Sequence, residues 1–157
     1  MKIVLSVVGP TADPIMRQGI EKYQARLRHY VDFEINVIAD KRLSRAMTET
    51  AQKQLEGEAL LAYLKPGDML ILLDERGRQF TSREFAGEVE RRMASGCKRL
   101  IYAVGGPYGF SEEVYARADS KISLSKMTFS HEMVRLFFVE QLYRAMTILR
   151  GEPYHHD

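Results

Sequence analysis

The sequence predicts an α/β protein with a mostly parallel sheet and helices on both of its faces. Short apolar runs typical of buried strands alternate with longer segments whose apolar residues recur at helical spacing. A strand followed by a helix occurs five times, which is the pattern of a parallel sheet built from βαβ units. No repeat or linker-like stretch interrupts this order, so we expect one domain over residues 1–157.

The first part of the chain is predicted to form two strands and two helices. Residues 3–8 form an apolar run broken only by Ser6, as expected of a strand buried on both faces, and residues 33–38 alternate in polarity. Between them, residues at spacings of four and three indicate an amphipathic helix: Met16, Ile20, Tyr23, Leu27 and Tyr30. Ser44 is a candidate N-cap for the second helix, which we expect to end near residues 65–68 because Pro-Gly stops a helix.

The second part of the chain is predicted to form three further strands. Apolar runs place them over residues 69–73, 99–104 and 121–124. Thr81 and Glu84 fit a capping box at the start of a third helix, which Gly96 closes. Ser111 is a candidate cap for a short fourth helix between the last two strands.

The last predicted helix runs from about Ser130 to Leu149 and is almost wholly apolar. Its apolar residues leave almost no polar face: Met133, Val134, Leu136, Phe137, Phe138, Val139, Leu142, Ala145, Met146 and Leu149. A helix that is apolar all round is buried on more than one side, and in a chain of this size a subunit interface satisfies that requirement. We therefore expect a homodimer.

The composition is that of a globular protein, with 45% hydrophobic and 28% charged residues. A net charge of +2 is too small to indicate nucleic-acid binding by itself. The single cysteine, Cys97, excludes an internal disulfide and a metal site built from cysteines. The apolar N-terminal run is too short for a signal peptide, and no segment approaches the roughly 20 apolar residues of a membrane span. We expect a soluble cytoplasmic protein with no membrane or metal partner.

Two loops rich in glycine or hydroxyl side chains follow neighbouring predicted strands, at residues 105–110 and 124–129. Ligands of parallel sheets bind outside the carboxyl ends of the strands, and glycine lets a ligand approach bare backbone. The phosphate-binding P-loop and the G-x-G-x-x-G dinucleotide fingerprint are both missing from the sequence. Taken alone, the first loop fits a tight turn and the second fits a strand end before a helix cap at Ser130. Taken together, they favour a cofactor pocket late in the chain.

The order of these motifs closely resembles the SPOUT (α/β-knot) methyltransferases. Within them it resembles the family that methylates N3 of a pseudouridine in large-subunit ribosomal RNA. The resemblance covers the whole chain and rests on these motifs: Leu72-Leu73-Asp74, Gly105-Gly106-Pro107-x-Gly109, Leu124-Ser125-x-Met127-Thr128, His131, Val134-Arg135, Glu140-Gln141-Leu142-Tyr143-Arg144-Ala145 and Pro153-Tyr154-His155.

The resemblance implies a C-terminal trefoil knot, a homodimer and a pocket for S-adenosyl-L-methionine. A knot is an exception to the usual topology of folds, and periodicity alone would have predicted an open sheet. The cofactor carries an activated methyl group, so no metal is required. Mapped by motif, the cofactor-binding residues are Leu73, Gly105, Leu124, Ser125, Lys126, Met127, Thr128 and Phe129.

The implied reaction removes a proton from N3 of the acceptor, which is a weak acid and a poor nucleophile until then. Histidine commonly performs such a transfer near neutral pH, and His155 is the candidate catalytic residue. The alternative interpretation is that His155 only contacts RNA phosphate or solvent. Tyr154 is a candidate for stacking on the RNA, while His131 is either structural or close to the cofactor. Arg144 is expected to bind RNA phosphate or to pair with Glu140. Arg135 lies on the same apolar helix, and for this residue we favour a structural role.

The resemblance implies methylation of 23S ribosomal RNA at helix 69, on the assembled ribosome. Two alternatives stay open, namely a non-catalytic ribosome-associated assembly factor and a SPOUT enzyme that acts on tRNA. A small-molecule α/β enzyme is a more distant third, since the sequence shows no set of nucleophile, base and acid. Two groups of basic residues either bind RNA phosphate or form an ordinary solvated face. They are Arg17, Lys22, Arg26, Arg28 and His29 on the first helix, and Lys41, Arg42 and Arg45 after the second strand.

Overall fold

A computed structural model describes residues 1–38 and 47–157. Its strands are β1 Lys2–Val8, β2 Asp32–Ile38, β3 Asp68–Gln79, β4 Arg99–Val104 and β5 Ser120–Ser123. Its helices are α1 Pro14–Leu27, α2 Glu49–Tyr63, α3 Ser82–Met93, α4 Glu112–Arg117 and α5 Met133–Leu149. Over these described residues, the strands form one sheet in the order β2-β1-β4-β3-β5, and neighbouring strands are parallel. The predicted α/β class and parallel sheet are confirmed.

Helices cover both faces of this sheet. Alternate residues of each strand point to opposite faces, so Ile3 and Leu5 pack in one apolar cluster while Val4 packs in the other. Helices α1, α3 and α5 contribute to the first cluster, and α2 and α4 contribute to the second. Residues 3–7 of β1 and 100–104 of β4 are buried because both faces of these strands are covered, which explains why they are almost wholly apolar.

Side-chain caps set the starts of several helices. The predicted capping box at α3 is confirmed: Thr81 Oγ1 accepts from the Glu84 N–H at 3.1 Å, and Glu84 accepts from the Thr81 N–H at 2.8 Å. Ser111 caps α4, as predicted. The predicted cap Ser44 lies outside the described residues, and α2 is capped by Thr48 instead.

Two elements differ from their predicted bounds for reasons that lie outside the local sequence. Strand β3 extends to Gln79 instead of ending at residue 73, because its second half also pairs with β5. The register shifts within it, so that Leu73 and Arg78 both lie opposite Ile122. Helix α5 begins at Met133, and Ser130 precedes it by one turn, where its Oγ accepts from the Met133 N–H at 3.2 Å.

The helices of the described residues are either too short or too polar to span a bilayer. Within the same residues, no group of three or more His, Cys, Asp or Glu side chains is arranged to hold a metal ion.

Candidate functional site

A cleft of about 670 Å³ opens at the carboxyl ends of β4 and β5 and beside residues 73–76, where β3 passes the end of its pairing with β4. It is lined by three stretches of chain, within residues 73–76, 104–110 and 123–134. In a parallel sheet these strand ends meet at one edge, which is where ligands of such sheets bind. The volume lies in the range of pockets that hold drug-sized and cofactor-sized molecules.

Seven of the eight predicted cofactor-binding residues line this cleft: Leu73, Gly105, Leu124, Ser125, Met127, Thr128 and Phe129. The eighth, Lys126, is exposed and does not line it. Three parts of the sequence that lie about 20 to 30 residues apart are thus brought together at one site, as the parallel topology requires.

The segment after β5 is held in shape by its own serine side chains. The Ser123 hydroxyl donates to the Ser125 carbonyl at 2.8 Å, and Ser125 Oγ accepts from the Met127 N–H at 3.0 Å. Leu124 and Phe129 are half-buried and line the cleft, and Met127 and Thr128 between them are exposed. Apolar surface of this kind suits an adenine ring.

The glycine loop after β4 is both a tight turn and a wall of the cleft. Its Gly109 N–H donates to the Gly106 carbonyl at 3.1 Å, and Gly109 has a φ of 82°, which favours glycine. A Cβ on Gly106 would lie 2.1 Å from a carboxylate oxygen of Glu56, so no other residue fits there without displacing that side chain. A Cβ on Gly105 would lie 3.2 Å from the carbonyl carbon of Gly109. The two predicted roles of this loop therefore coincide.

Asp74 and its partners also line the cleft, although the sequence indicated them only as the end of a strand. The Asp74 carboxylate accepts from the Tyr115 hydroxyl and, at 2.8 Å, from the Arg76 N–H. Burial alone would raise the pKa of Asp74, but these hydrogen bonds and the Arg76 charge outweigh it and lower that pKa below its ordinary value. The Arg76 guanidinium stacks on the Tyr115 ring, 4.9 Å from its centroid. The sequence signal that could have indicated Asp74 as a site residue is an acidic side chain directly after an apolar run.

The C-terminal tail, residues 152–157, folds back along α5 and brings together the predicted catalytic and RNA-binding residues. Arg144 forms an ion pair with Glu140 at 2.6 Å, contacts His155 Nδ1 at 3.1 Å and stacks on the Tyr154 ring at 4.7 Å. The Tyr154 hydroxyl donates to Glu140 at 2.9 Å and lies 3.3 Å from the Tyr23 hydroxyl. Burial, followed by these hydrogen bonds, raises the pKa of Tyr154. Neither Tyr154 nor His155 lines the cleft.

Two further contacts fasten the tail to the body of the protein. The Tyr30 hydroxyl donates to Glu152, which raises the pKa of Tyr30 to about 12. The Arg83 side chain donates to both carboxylate oxygens of Asp157 at 2.7 and 2.9 Å. The tail is therefore anchored at both of its ends to other parts of the same chain.

The basic residues predicted on the first helix serve partly local roles. Arg17 donates to the Thr11 carbonyl at 3.1 Å, and the Arg26 guanidinium lies over the rings of Tyr23 and Tyr143 at 5.3 and 5.6 Å. Lys41, Arg42 and Arg45 lie outside the described residues.

The predicted structural role of Arg135 agrees with its surroundings. The side chain is buried, with 2% of the residue exposed, and it is hydrogen-bonded to backbone carbonyls. Burial lowers the pKa of its guanidinium. His131, one turn earlier, lines the cleft.

Comparison with known proteins agrees with this geometry. The sequence model of the family described as "Predicted SPOUT methyltransferase" matches residues 1–155. Similar proteins named "Ribosomal RNA large subunit methyltransferase H" occur in Parabacteroides distasonis and Porphyromonas gingivalis, with 54% and 53% identity over 157 residues and complete coverage of both chains. The protein of that name from Christiangramia forsetii is 54% identical over 156 residues, which is 99% of each chain. The chain belongs to the SPOUT methyltransferase family.

Proposed function

We propose that this protein transfers a methyl group from S-adenosyl-L-methionine to N3 of a pseudouridine in large-subunit ribosomal RNA, in helix 69 of the 23S molecule. The observation that carries the proposal is the cleft at the carboxyl ends of β4 and β5 and beside residues 73–76 of β3, which is lined by seven of the eight residues mapped by motif. Relatives named for methylation of large-subunit ribosomal RNA match the chain over its full length. An RNA substrate of this kind places the protein in the cytoplasm.

The residues of the cleft fit this cofactor. Leu73, Leu124 and Phe129 supply apolar surface for the adenine ring, and Gly105 leaves room for a ligand to approach the backbone. When bound, the cofactor supplies a methyl group already activated on a sulfonium. The protein's part is then to hold the acceptor nitrogen in line with that group and to remove its proton.

His155 is the residue that we assign to proton removal, with Arg144 and Tyr154 as contacts for the RNA. The three side chains touch one another through the 3.1 Å contact between Arg144 and His155 and the stacking of Arg144 on Tyr154. Since they do not line the cleft of their own subunit, we infer that the complete site also uses the tail of a partner subunit.

A homodimer built on α5 would supply that second tail. Apolar side chains are exposed at both ends of α5, at Met133 and Leu149, and at the start of α1, at Ile15, which is 73% exposed. Single exposed apolar residues are common on any protein surface, so the dimer proposal rests mainly on the apolar composition of α5 as a whole. Sedimentation equilibrium of the wild-type protein tests this, and a monomer at micromolar concentration would contradict it.

We also propose the trefoil knot of the family for this chain. Its support is the match to the SPOUT family over residues 1–155. The register shift of β3 lies beside the cleft, since Leu73 and Arg78 both pair opposite Ile122.

The test of the function is methyl transfer from radiolabelled cofactor to assembled ribosomes that lack the modification, with naked ribosomal RNA and tRNA alongside. We expect label in large-subunit RNA, at a pseudouridine, from ribosomes only, because a small enzyme gains affinity from the shape of a pre-formed substrate. Label in tRNA would favour a SPOUT enzyme of another specificity. Absence of label despite cofactor binding would favour a non-catalytic assembly factor.

A further inference from the structure

We infer that Arg135 is a positioning residue for the cofactor cleft. It acts through His131, by tying the end of the segment after β5 to the end of β1. The inference rests on the proposed function, since it concerns the cleft assigned to the cofactor.

The guanidinium of Arg135 reaches two distant parts of the chain at once. It donates to the Val8 carbonyl at 2.8 Å and to the Gly9 carbonyl at 2.9 Å, both at the end of β1. It also donates to Thr11 Oγ1 at 3.0 Å and to the His131 carbonyl at 3.2 Å. One side chain thus joins residues more than 120 positions apart in sequence.

A second contact beside it holds the same two segments together. Glu132 Oε1 accepts from the Asp13 N–H at 2.9 Å. Helix α5 has no hydrogen bond from the side chain of its own N-cap residue, Glu132, which is used here to hold the β1–α1 turn. The start of α5, and with it His131 and Val134 in the wall of the cleft, therefore depends on contacts with the turn after β1.

The donor geometry explains why this position carries arginine. Guanidinium offers five N–H donors in a fixed plane, whereas lysine offers one compact charge and methionine offers no donor. Without the arginine, the carbonyl oxygens of Val8, Gly9 and His131 lose this donor and the segments that carry them must move to find another. The guanidinium does not line the cleft, so its effect on a ligand is transmitted through His131.

The experiment compares Arg135→Met with Arg99→Met as a matched control. Arg99 is also largely buried and donates to Asp68 at 3.0 Å and to the Tyr63 carbonyl at 3.2 Å, but it lies at the opposite, amino-terminal end of the strands. Both variants lose a buried arginine network, so both are expected to unfold at lower temperature. Only Arg135→Met is expected to lose affinity for S-adenosyl-L-methionine, by about tenfold or more by calorimetry, equivalent to about 1.4 kcal/mol.

Two further measurements keep the inference testable if Arg135→Met is poorly folded. Thr11→Val removes one acceptor of the guanidinium with little change in shape, and we expect a smaller loss of affinity in the same direction. In Arg135→Ala, added guanidinium at about 10 mM, well below denaturing concentrations, should restore part of the affinity, whereas methylammonium should not.

The outcomes separate the inference from the proposed function. Wild-type protein that does not bind S-adenosyl-L-methionine would overturn the cofactor assignment itself. Wild-type binding together with equal affinity in folded Arg135→Met, or an equal loss in Arg99→Met, would overturn the positioning role. Recovery of affinity in Arg135→Ala with guanidinium, but not with methylammonium, would support the positioning role.

Discussion

The guanidinium of Arg144 donates a hydrogen bond to Nδ1 of His155 at 3.1 Å. Because arginine nitrogens only donate, Nδ1 must be the accepting nitrogen and the ring proton lies on Nε2. Nε2 then donates to Asp157 Oδ1 at 3.0 Å. Both ring nitrogens of His155 are thereby engaged within the chain, Nδ1 by Arg144 and Nε2 by Asp157. A proton from the RNA can therefore reach Nδ1 only when the contact with Arg144 opens.

Deletion of residues 154–157 should remove methyl transfer and spare cofactor binding. The deletion takes away the assigned proton acceptor and the ring on which Arg144 stacks, but no residue that lines the cleft. We expect kcat to fall by about 100-fold or more, with an unchanged Kd for the cofactor. His156→Ala is the matched control, because His156 is exposed and neighbours the assigned residue. Full turnover by the truncated enzyme would show that the tail has no catalytic role.

Substitution of Gly105 by valine should strongly weaken cofactor binding without unfolding the protein. A Cβ there already lies within 3.2 Å of the Gly109 backbone, so the added methyl groups project into the cleft or displace the turn. We expect Kd to rise by about 100-fold, or about 2.7 kcal/mol. Gly87→Val is the control, since a Cβ on Gly87 meets nothing within 4 Å. Equal affinity of the two variants by calorimetry would exclude Gly105 from the pocket.

The ion pair between Asp68 and Arg99 should make stability sensitive to acid. Burial by itself would raise the pKa of Asp68, but hydrogen bonds from Arg99 and from the Lys65 N–H lower it below 3.8 overall. The carboxylate therefore contributes stability that is fully present above about pH 4 and is lost as the pH falls through the folded-state pKa. Asp68→Asn should cost about 3 kcal/mol at pH 7, because it leaves Arg99 without its charged partner. Denaturant titrations should show this difference shrinking below about pH 4, and a pH-independent difference would contradict the assignment.

Replacement of Tyr102 by phenylalanine should stabilise the fold. Among the described residues, the Tyr102 hydroxyl is a buried oxygen without a hydrogen-bond partner, and burial raises the pKa of this tyrosine. Removal of an unsatisfied buried hydroxyl should add about 1 kcal/mol to the free energy of unfolding. Thermal denaturation should then show a Tm higher by about 3 °C. Tyr115→Phe, which loses a hydroxyl that donates to Asp74, should lower Tm instead. A lower Tm for both variants would mean that the Tyr102 hydroxyl has a partner.

Local signals in the sequence predicted those parts of the fold that depend on local contacts. The capping box of Thr81 and Glu84 involves residues three positions apart, so its chemistry can be read from the sequence directly. The same holds for the ion pair of Glu140 and Arg144, one helical turn apart. The loop segments of the cleft were found by motif because each follows an apolar strand.

Contacts between distant residues could not be predicted in this way. The extension of β3 to Gln79 depends on pairing with β5, more than 40 residues later. The bonds from Arg135 to Val8 and Gly9 span more than 120 residues, so no spacing rule indicates them. The placement of His155 against Arg144, away from the cleft, depends on how the tail folds back after α5.

The assembly of the cleft from three separate stretches of chain has a consequence for the lifetime of the protein. A ligand bound to all three acts as a non-covalent cross-link, because the unfolded chain cannot present them together. At 100 times its Kd, such a ligand adds about 2.7 kcal/mol to the free energy of unfolding. We therefore expect resistance to proteolysis to rise and fall with the concentration of the methyl donor, so that the amount of enzyme follows the supply of its own co-substrate.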